Sequence, residues 1–176
     1  MTQIQPLKYL SHYPEPLLEK VRTLIREKQL FEVLKKKYPA IHEVRSNRAL
    51  YDYVTGIKNA HLKKAGPVAR IQWDDRISTL ENCLGRHRFI SRVQGAKLRA
   101  SNEIHIASVF KQAPEPFLRV IAVHELAHLK EKDHNRAFYN LCEHIEPDFH
   151  QLEFDMRLFL TCLEMFGSPY TSGAPV

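Results

Sequence analysis

Apolar positions along the chain change their period twice. From Pro16 to Lys37, Leu17, Val21, Leu24, Ile25, Phe31 and Leu34 recur three and four residues apart, which predicts one amphipathic helix. Pro39 stops it, and Lys35, Lys36 and Lys37 suit the negative end of its dipole. A second helix is predicted from Asn47 to Lys64, with Ser46 as N-cap, Leu50, Val54, Ile57 and Leu62 facing inward, and Gly66-Pro67 as the stop. After Pro67 the period shortens. Val68 to Trp73 reads as a strand, Ile77 to Leu84 returns to helical spacing up to Gly85, and a strand-like stretch from Phe89 is broken at Gly95. Glu103 to Val109 alternates as a further strand.

The second change comes at Ala113-Pro114-Glu115-Pro116, where proline is tolerated in a first helical turn. Phe117, Leu118, Val120, Ile121, Val123, Leu126 and Leu129 wrap most of the way round the helix that follows, so it belongs in the interior, ending near Lys132-Asp133. Another helix is expected from Asn135, as N-cap, to about His144, and a last one from Asp148 to Phe166, closed by Gly167. The last helix turns Leu152, Met156, Phe159, Leu160 and Leu163 to the core and sets Glu153 and Arg157 four apart as an ion pair. These elements divide the chain into an N-terminal helical part (residues 1–66), a core (67–167) and a flexible tail (168–176), together one compact unit.

Chemistry concentrates in the interior helix. His124 and His128 lie one turn apart on the same face, so two imidazole nitrogens reach one metal ion. Glu125 is angled away from that ion but within reach of a water on it, the place of a general base. His134, past the helix end, returns as a third ligand and leaves one position open for water or substrate. Zinc, one ion per chain, suits three imidazoles, and other first-row divalent metals accept the same donors. Tyr139, Glu143, His144, Glu153 and Arg157 are candidates to orient the imidazoles or to donate to the transition state, with Asp155 a further orienting candidate.

Charge adds a second feature. The net +6 of the 176 residues divides into +11 over residues 1–112 and −5 over 113–176. Between Asn82 and Asn102 stand Arg86, Arg88, Arg92, Lys97 and Arg99 with no acid among them. On a strand Arg86, Arg88 and Arg92 share a face. Guanidinium groups match phosphate geometry, which makes all five candidates for holding substrate phosphates; without interleaved aromatics, a nucleic-acid partner is not favoured. Three cysteines without a paired spacing point to a reducing compartment, and there is neither a signal-peptide pattern nor an apolar run near the roughly twenty residues a bilayer requires. The expectation is a cytoplasmic protein with no membrane partner.

The segments SRVQGAKLRA, EIHIASVF, HELAHLKEKDHNRAF and CEHIEPDFHQLEFDMRLFL resemble the YgjP-like metallopeptidase family, small bacterial zincins distantly similar to SprT-like proteases. The resemblance covers nearly the whole chain and is most specific from Arg86 to Leu160. It implies an α+β, zincin-like fold with N-terminal helices, a small sheet, an active-site helix and C-terminal helices. It also implies zinc ligands at His124, His128 and His134, the last opening an H-x-x-x-F step to Phe138, and a catalytic Glu125. The histidine spacing equals that of the metzincins, but Glu131 stands at their glycine position and no methionine turn is present.

Three functions compete. The first is a zinc metallopeptidase acting on a peptide or unfolded protein, with the strand Glu103 to Val109 as the edge that pairs with substrate. The second is a nucleoside triphosphate hydrolase using the same metal, since the label UTP pyrophosphatase is also attached to members of the family. The third is a non-catalytic zinc-containing binding module, which needs a fourth protein ligand from Cys142, His144 or His150.

Overall fold

In the computed structural model, which describes residues 7–77, 86–94 and 97–170 (86–94 and 97–101 through their backbone), the N-terminal helical run breaks at Lys28. Helix α1 spans Glu15–Arg26 and α2 spans Leu30–Lys37. Lys28 adopts φ 56°, and the Gln29 amide reaches back to the Leu24 carbonyl at 2.8 Å, the closure of a helix that ends in a left-handed residue. The physical reason is a gap in the apolar stripe: Arg26-Glu27-Lys28-Gln29 offers nothing to bury for a full turn. A 3₁₀ turn, Lys8–Leu10, precedes α1 and buries Tyr9 and Leu10.

Helix α3, Asn47–His61, ends one turn short of the expected Lys64, and the Ser46 hydroxyl accepts from the Ala49 amide at 3.1 Å as its cap. Strand β1 (Val68–Asp74) follows; the helix expected from Ile77 to Leu84 falls almost wholly on residues outside those described. Strands β2 (Arg86–Gln94) and β3 (Lys97–Ala107) complete a sheet in the order β1-β3-β2, with β1 parallel and β2 antiparallel to β3. This corrects the reading of Glu103 to Val109 as a free edge. Its residues through Ala107 form the central strand, and Ser108–Gln112 turn into a 3₁₀ helix. The outer side of β1 is partly occupied as well, since the Trp73 amide donates to Asn47 Oδ1 at the start of α3.

Helix α4, Glu115–Ala127, is apolar all round, and every residue from Val120 to Ala127 is buried. The sheet covers it on one side through Ile71, Trp73, Ile104 and Ile106. On the other side lie helices α5 (Arg136–Ile145) and α6 (Phe149–Phe166), which bring Phe138, Phe149 and Phe159. Full burial of each such ring contributes roughly 1.5–3 kcal/mol. The N-terminal helices join the same core: Phe117 packs on Tyr38 at 4.7 Å and on Phe159 at 5.4 Å between ring centroids. Buried Asp155, offered above as an imidazole partner, instead accepts from the Tyr38 hydroxyl and from Lys37, tying α6 to α2. Ser168 to Tyr170 are held rather than free, the Tyr170 hydroxyl donating to the Tyr38 carbonyl at 2.7 Å. Among the described residues no helix is long and apolar enough to cross a membrane.

Candidate metal centre

Helix α4 stops at Ala127, not at the expected Lys132-Asp133. The amides of Leu129 and Lys130 turn back to the carbonyls of Leu126 and Ala127, three residues earlier, which tightens the last turn where the charged Lys130-Glu131-Lys132-Asp133 run begins. His128 is the C-cap and keeps helical backbone angles, so it still stands one turn above His124. The Glu131 carbonyl accepts from His128 Nδ1 at 3.0 Å, which puts that ring's proton on Nδ1 and makes Nε2 the lone-pair nitrogen of the ring. Among the described residues Lys28 alone, apart from glycine, has positive φ, so Glu131 makes this turn without the left-handed backbone that would favour glycine.

From the turn the chain returns through His134 to Asn135, the N-cap of α5, whose Oδ1 accepts from the Phe138 amide at 2.9 Å. The three Nε2 atoms converge: 3.3 Å between His124 and His128, 3.1 Å between His124 and His134, and 3.1 Å between His128 and His134. His124 is buried, His128 half-buried and His134 exposed, so the cluster is open on one side.

Three nitrogens in a triangle cannot all satisfy one another, because each neutral ring carries a single proton. A cation resolves this. Imidazole nitrogens about 2.0–2.1 Å from zinc at tetrahedral angles stand roughly 3.3 Å apart, close to the separations found here. The donor set therefore fits a first-row divalent ion held by His124, His128 and His134.

Glu125 is 2 % exposed, and its Oε2 has no hydrogen-bond partner among the described residues. Burial pushes its carboxyl up to about 8; a cation at the imidazoles opposes that shift, since a nearby positive charge favours the carboxylate. His124 is held well below the ordinary imidazole range, first by burial, then by His128, His134 and Arg157. Arg157 is fixed by the Tyr9 carbonyl at 3.1 Å and by Glu153 at 3.0 Å, the pair anticipated from their spacing.

The other candidates divide. The Tyr139 ring lies 6.5 Å from that of His134 and 5.6 Å from that of His150. Glu143 is exposed and faces His150 at 3.1 Å, and His144 is exposed. Cys142 is buried with its thiol pushed up to about 12 by burial first, and His150 is exposed. Among the described residues, only the three histidines form a cluster of metal-binding geometry. For Arg86, Arg88, Arg92, Lys97 and Arg99 the described feature is strand register.

The family resemblance named Phe138 as the end of the H-x-x-x-F step from His134, but sequence reasoning gave it no role at the site. Its ring sits 4.9, 4.7 and 4.8 Å from those of His124, His128 and His134, the apolar floor on which all three imidazoles rest. The available signal was its position three residues after the N-cap and four after His134, one turn into α5.

A family model described as YgjP-like, metallopeptidase domain, matches residues 93–157, which include Glu125 and the three histidines. The UTP pyrophosphatase of Escherichia coli (strain K12) is 55% identical over 159 residues, covering 90% of this chain and 95% of that protein. No solved structure matches the chain. On that identity and coverage, the chain belongs to the YgjP-like family.

Proposed function

We propose that the protein is a zinc-dependent hydrolase that cleaves a phosphoanhydride of a nucleoside triphosphate, with UTP as its substrate. Near-full-length identity of 55% to a UTP pyrophosphatase carries the substrate class. The three converging Nε2 atoms, with a buried carboxylate beside them, support the chemistry. Bound zinc supplies a Lewis acid and lowers the pKa of water towards neutrality. Glu125 takes the proton of the attacking water at Oε2. The water oxygen bonds to the α-phosphorus as the bond from that phosphorus to the bridging oxygen breaks, and pyrophosphate leaves with the bridging oxygen. Arg157, locked by Glu153 and the Tyr9 carbonyl, lies near enough to His124 to help keep that imidazole neutral, the form that binds a metal ion.

The peptidase reading draws on the description of the family domain. The sheet gives it less support, because the strand that leads towards α4 is central and already paired on both sides.

The test uses protein purified without a histidine tag. Metal content is measured beside hydrolysis of UTP and of an unfolded protein, for wild type and Glu125→Gln. The reading expects about one zinc per chain in both, UTP turnover that falls by about a hundredfold or more in the variant, and no cleavage of the unfolded protein. Cleavage of the unfolded protein that depends on Glu125 would replace it with the peptidase reading. Metal with neither activity dependent on Glu125 would leave a binding module.

A further inference from the structure

His150, Glu153, Phe154 and Arg157 stand three, four and seven residues apart on helix α6, which puts them on one face. Two tyrosines from other elements come down on that face. Tyr139, on α5, meets the His150 ring at 5.6 Å between centroids, and Tyr13, in the turn before α1, meets Phe154 edge-on at 5.0 Å. His12 continues the row at 4.3 Å from Tyr13. None of these five rings is buried: His12 and His150 are exposed, and Tyr13, Tyr139 and Phe154 are half-buried.

The N-terminal turn is fastened to α6 by other groups. Lys8 pairs with Glu164, and Arg157 donates to the Tyr9 carbonyl at 3.1 Å while it holds Glu153 at 3.0 Å. Tyr13 therefore reaches α6 from a fixed backbone. Burial first, and then Glu153, raise both phenols, that of Tyr13 to about 12, and Tyr139 adds to the rise at Tyr13, so the two hydroxyls look onto the same stretch of α6. Tyr38, Tyr53 and Tyr170 are pinned by their hydroxyls to Asp155, Glu115 and the Tyr38 carbonyl. Among the described residues the hydroxyls of Tyr13 and Tyr139 have no such partner.

The row begins at the metal centre. The Tyr139 ring stands 6.5 Å from that of His134, the exposed one of the three imidazoles. Aromatic rings that stay partly open beside the open side of a metal site offer a surface to a flat ligand. In the hydrolysis proposed above, the phosphorus under attack carries the ribose, so the base follows within one sugar of that open side. Every base has a π-face, and stacking on an aromatic side chain holds it whatever its edge. We propose that the rings of Tyr139 and Tyr13 seat the base of the nucleotide substrate, Tyr139 as the stacking surface and Tyr13 as the far wall. This inference rests on the nucleotide reading of the site and adds to it the residues that hold the part of the substrate away from the metal.

The experiment measures UTP hydrolysis by the zinc-loaded full chain, with inorganic tripolyphosphate as a competitor that has no base. Tyr139→Leu should raise KM for UTP by about tenfold or more, the scale of one lost base–aromatic stack, and Tyr13→Leu by about threefold or more. In both, kcat should stay within about threefold, since binding lost equally from ground state and transition state moves KM alone. The inhibition constant of tripolyphosphate should stay within about twofold, and Tyr139→Phe, which keeps the ring, within about threefold of wild type in KM. Zinc content and thermal melts of each variant accompany the kinetics. A comparison on wild type needs no variant to fold: UMP should inhibit about tenfold more strongly than ribose 5-phosphate, which lacks the base. Equal inhibition by the two overturns the proposal, and so does an unchanged KM in Tyr139→Leu. A parallel rise in the tripolyphosphate constant also overturns it and would put Tyr139 at the phosphates or the metal. An equal loss in Tyr139→Phe overturns it by making the hydroxyl the contact. A wild type that does not turn over UTP ends the nucleotide reading and this inference together, whereas an active wild type with an unchanged KM in the leucine variants ends this inference alone.

Discussion

Asn135 Oδ1 accepts the Phe138 amide at 2.9 Å, and this one cap holds both the residue after His134 and the ring under all three imidazoles. His134 is exposed and lies outside any helix, so the cap that starts α5 is its nearest fixed point. Asn135→Ala should therefore destabilise the metal-free fold by about 1 kcal/mol, the usual worth of an N-cap. It should also weaken zinc binding by about tenfold, in the range found when outer-shell support is removed. Competition with a chromophoric chelator reads the affinity, and Asn135→Ser should recover most of both losses. An affinity that stays at the wild-type value in the alanine variant would mean that His134 is placed by something other than the cap.

Phe138 makes the complementary case, because its ring touches the ligands rather than the backbone that carries them. Phe138→Leu preserves most of the buried volume and should cost under about 1.5 kcal/mol in stability. It nonetheless removes the ring that meets all three imidazoles, which gain freedom that a bound ion must remove. Zinc release to chelator should be faster and the affinity lower by about tenfold or more. If zinc affinity is untouched while stability falls, Phe138 is core filling and no more.

The contrast between Phe138 and the histidines shows what a sequence displays. His124, Glu125 and His128 share a helix whose period is visible in the apolar residues around them, and the three elements from α4 to α6 follow the predicted pattern within a few residues, apart from the early stop of α4 at Ala127. Phe138 looks like any core aromatic, because its contact with all three ligands depends on how the turn from His128 to His134 folds back. The same limit explains the sheet. Alternation marked Glu103 to Val109 as a strand, but whether a strand is central or at an edge is decided by partners far away in sequence, here Arg70 and Arg88 on either side of Glu103. Lys28 is an intermediate case: the missing apolar turn was legible, and its consequence, a break in one predicted helix, follows from burial alone.

Glu125 gives the metal-free protein a pH dependence of known sign. Burial raises its carboxyl to about 8, so between the ordinary carboxylate range and pH 8 the folded chain holds a proton that the unfolded chain has released. Stability therefore falls as pH rises through that window. Buried His42 and His124 are held below the usual imidazole value chiefly by burial and give the opposite slope, mainly as pH drops below about 6.5, so Glu125 dominates the range from 6.5 to 8. Urea unfolding of chelator-treated protein should show a loss of about 2 kcal/mol across that range, and Glu125→Gln should flatten it. Adding zinc should also flatten it, because the cation favours the charged carboxylate. A wild-type slope retained by the glutamine variant would assign the titration to another group.

Lys28 permits a test of the fold that leaves the metal centre alone. It is exposed, it sits between α1 and α2, and its φ of 56° is a conformation that side chains with a Cβ adopt at a cost. Glycine bears no such steric cost, though it gives up more backbone entropy on folding. The balance at a left-handed helix end favours glycine, and Lys28→Gly should stabilise the protein by about 0.5–1 kcal/mol in urea unfolding. The residue makes no contact with the imidazoles, so zinc affinity and turnover should not move. Lys28→Val tests the same point from the other side: a β-branched residue is a poor fit to positive φ and should destabilise by at least as much. Equal stability of all three proteins would mean that the chain passes from α1 to α2 without the left-handed residue, and the break in the helix would then need a different cause.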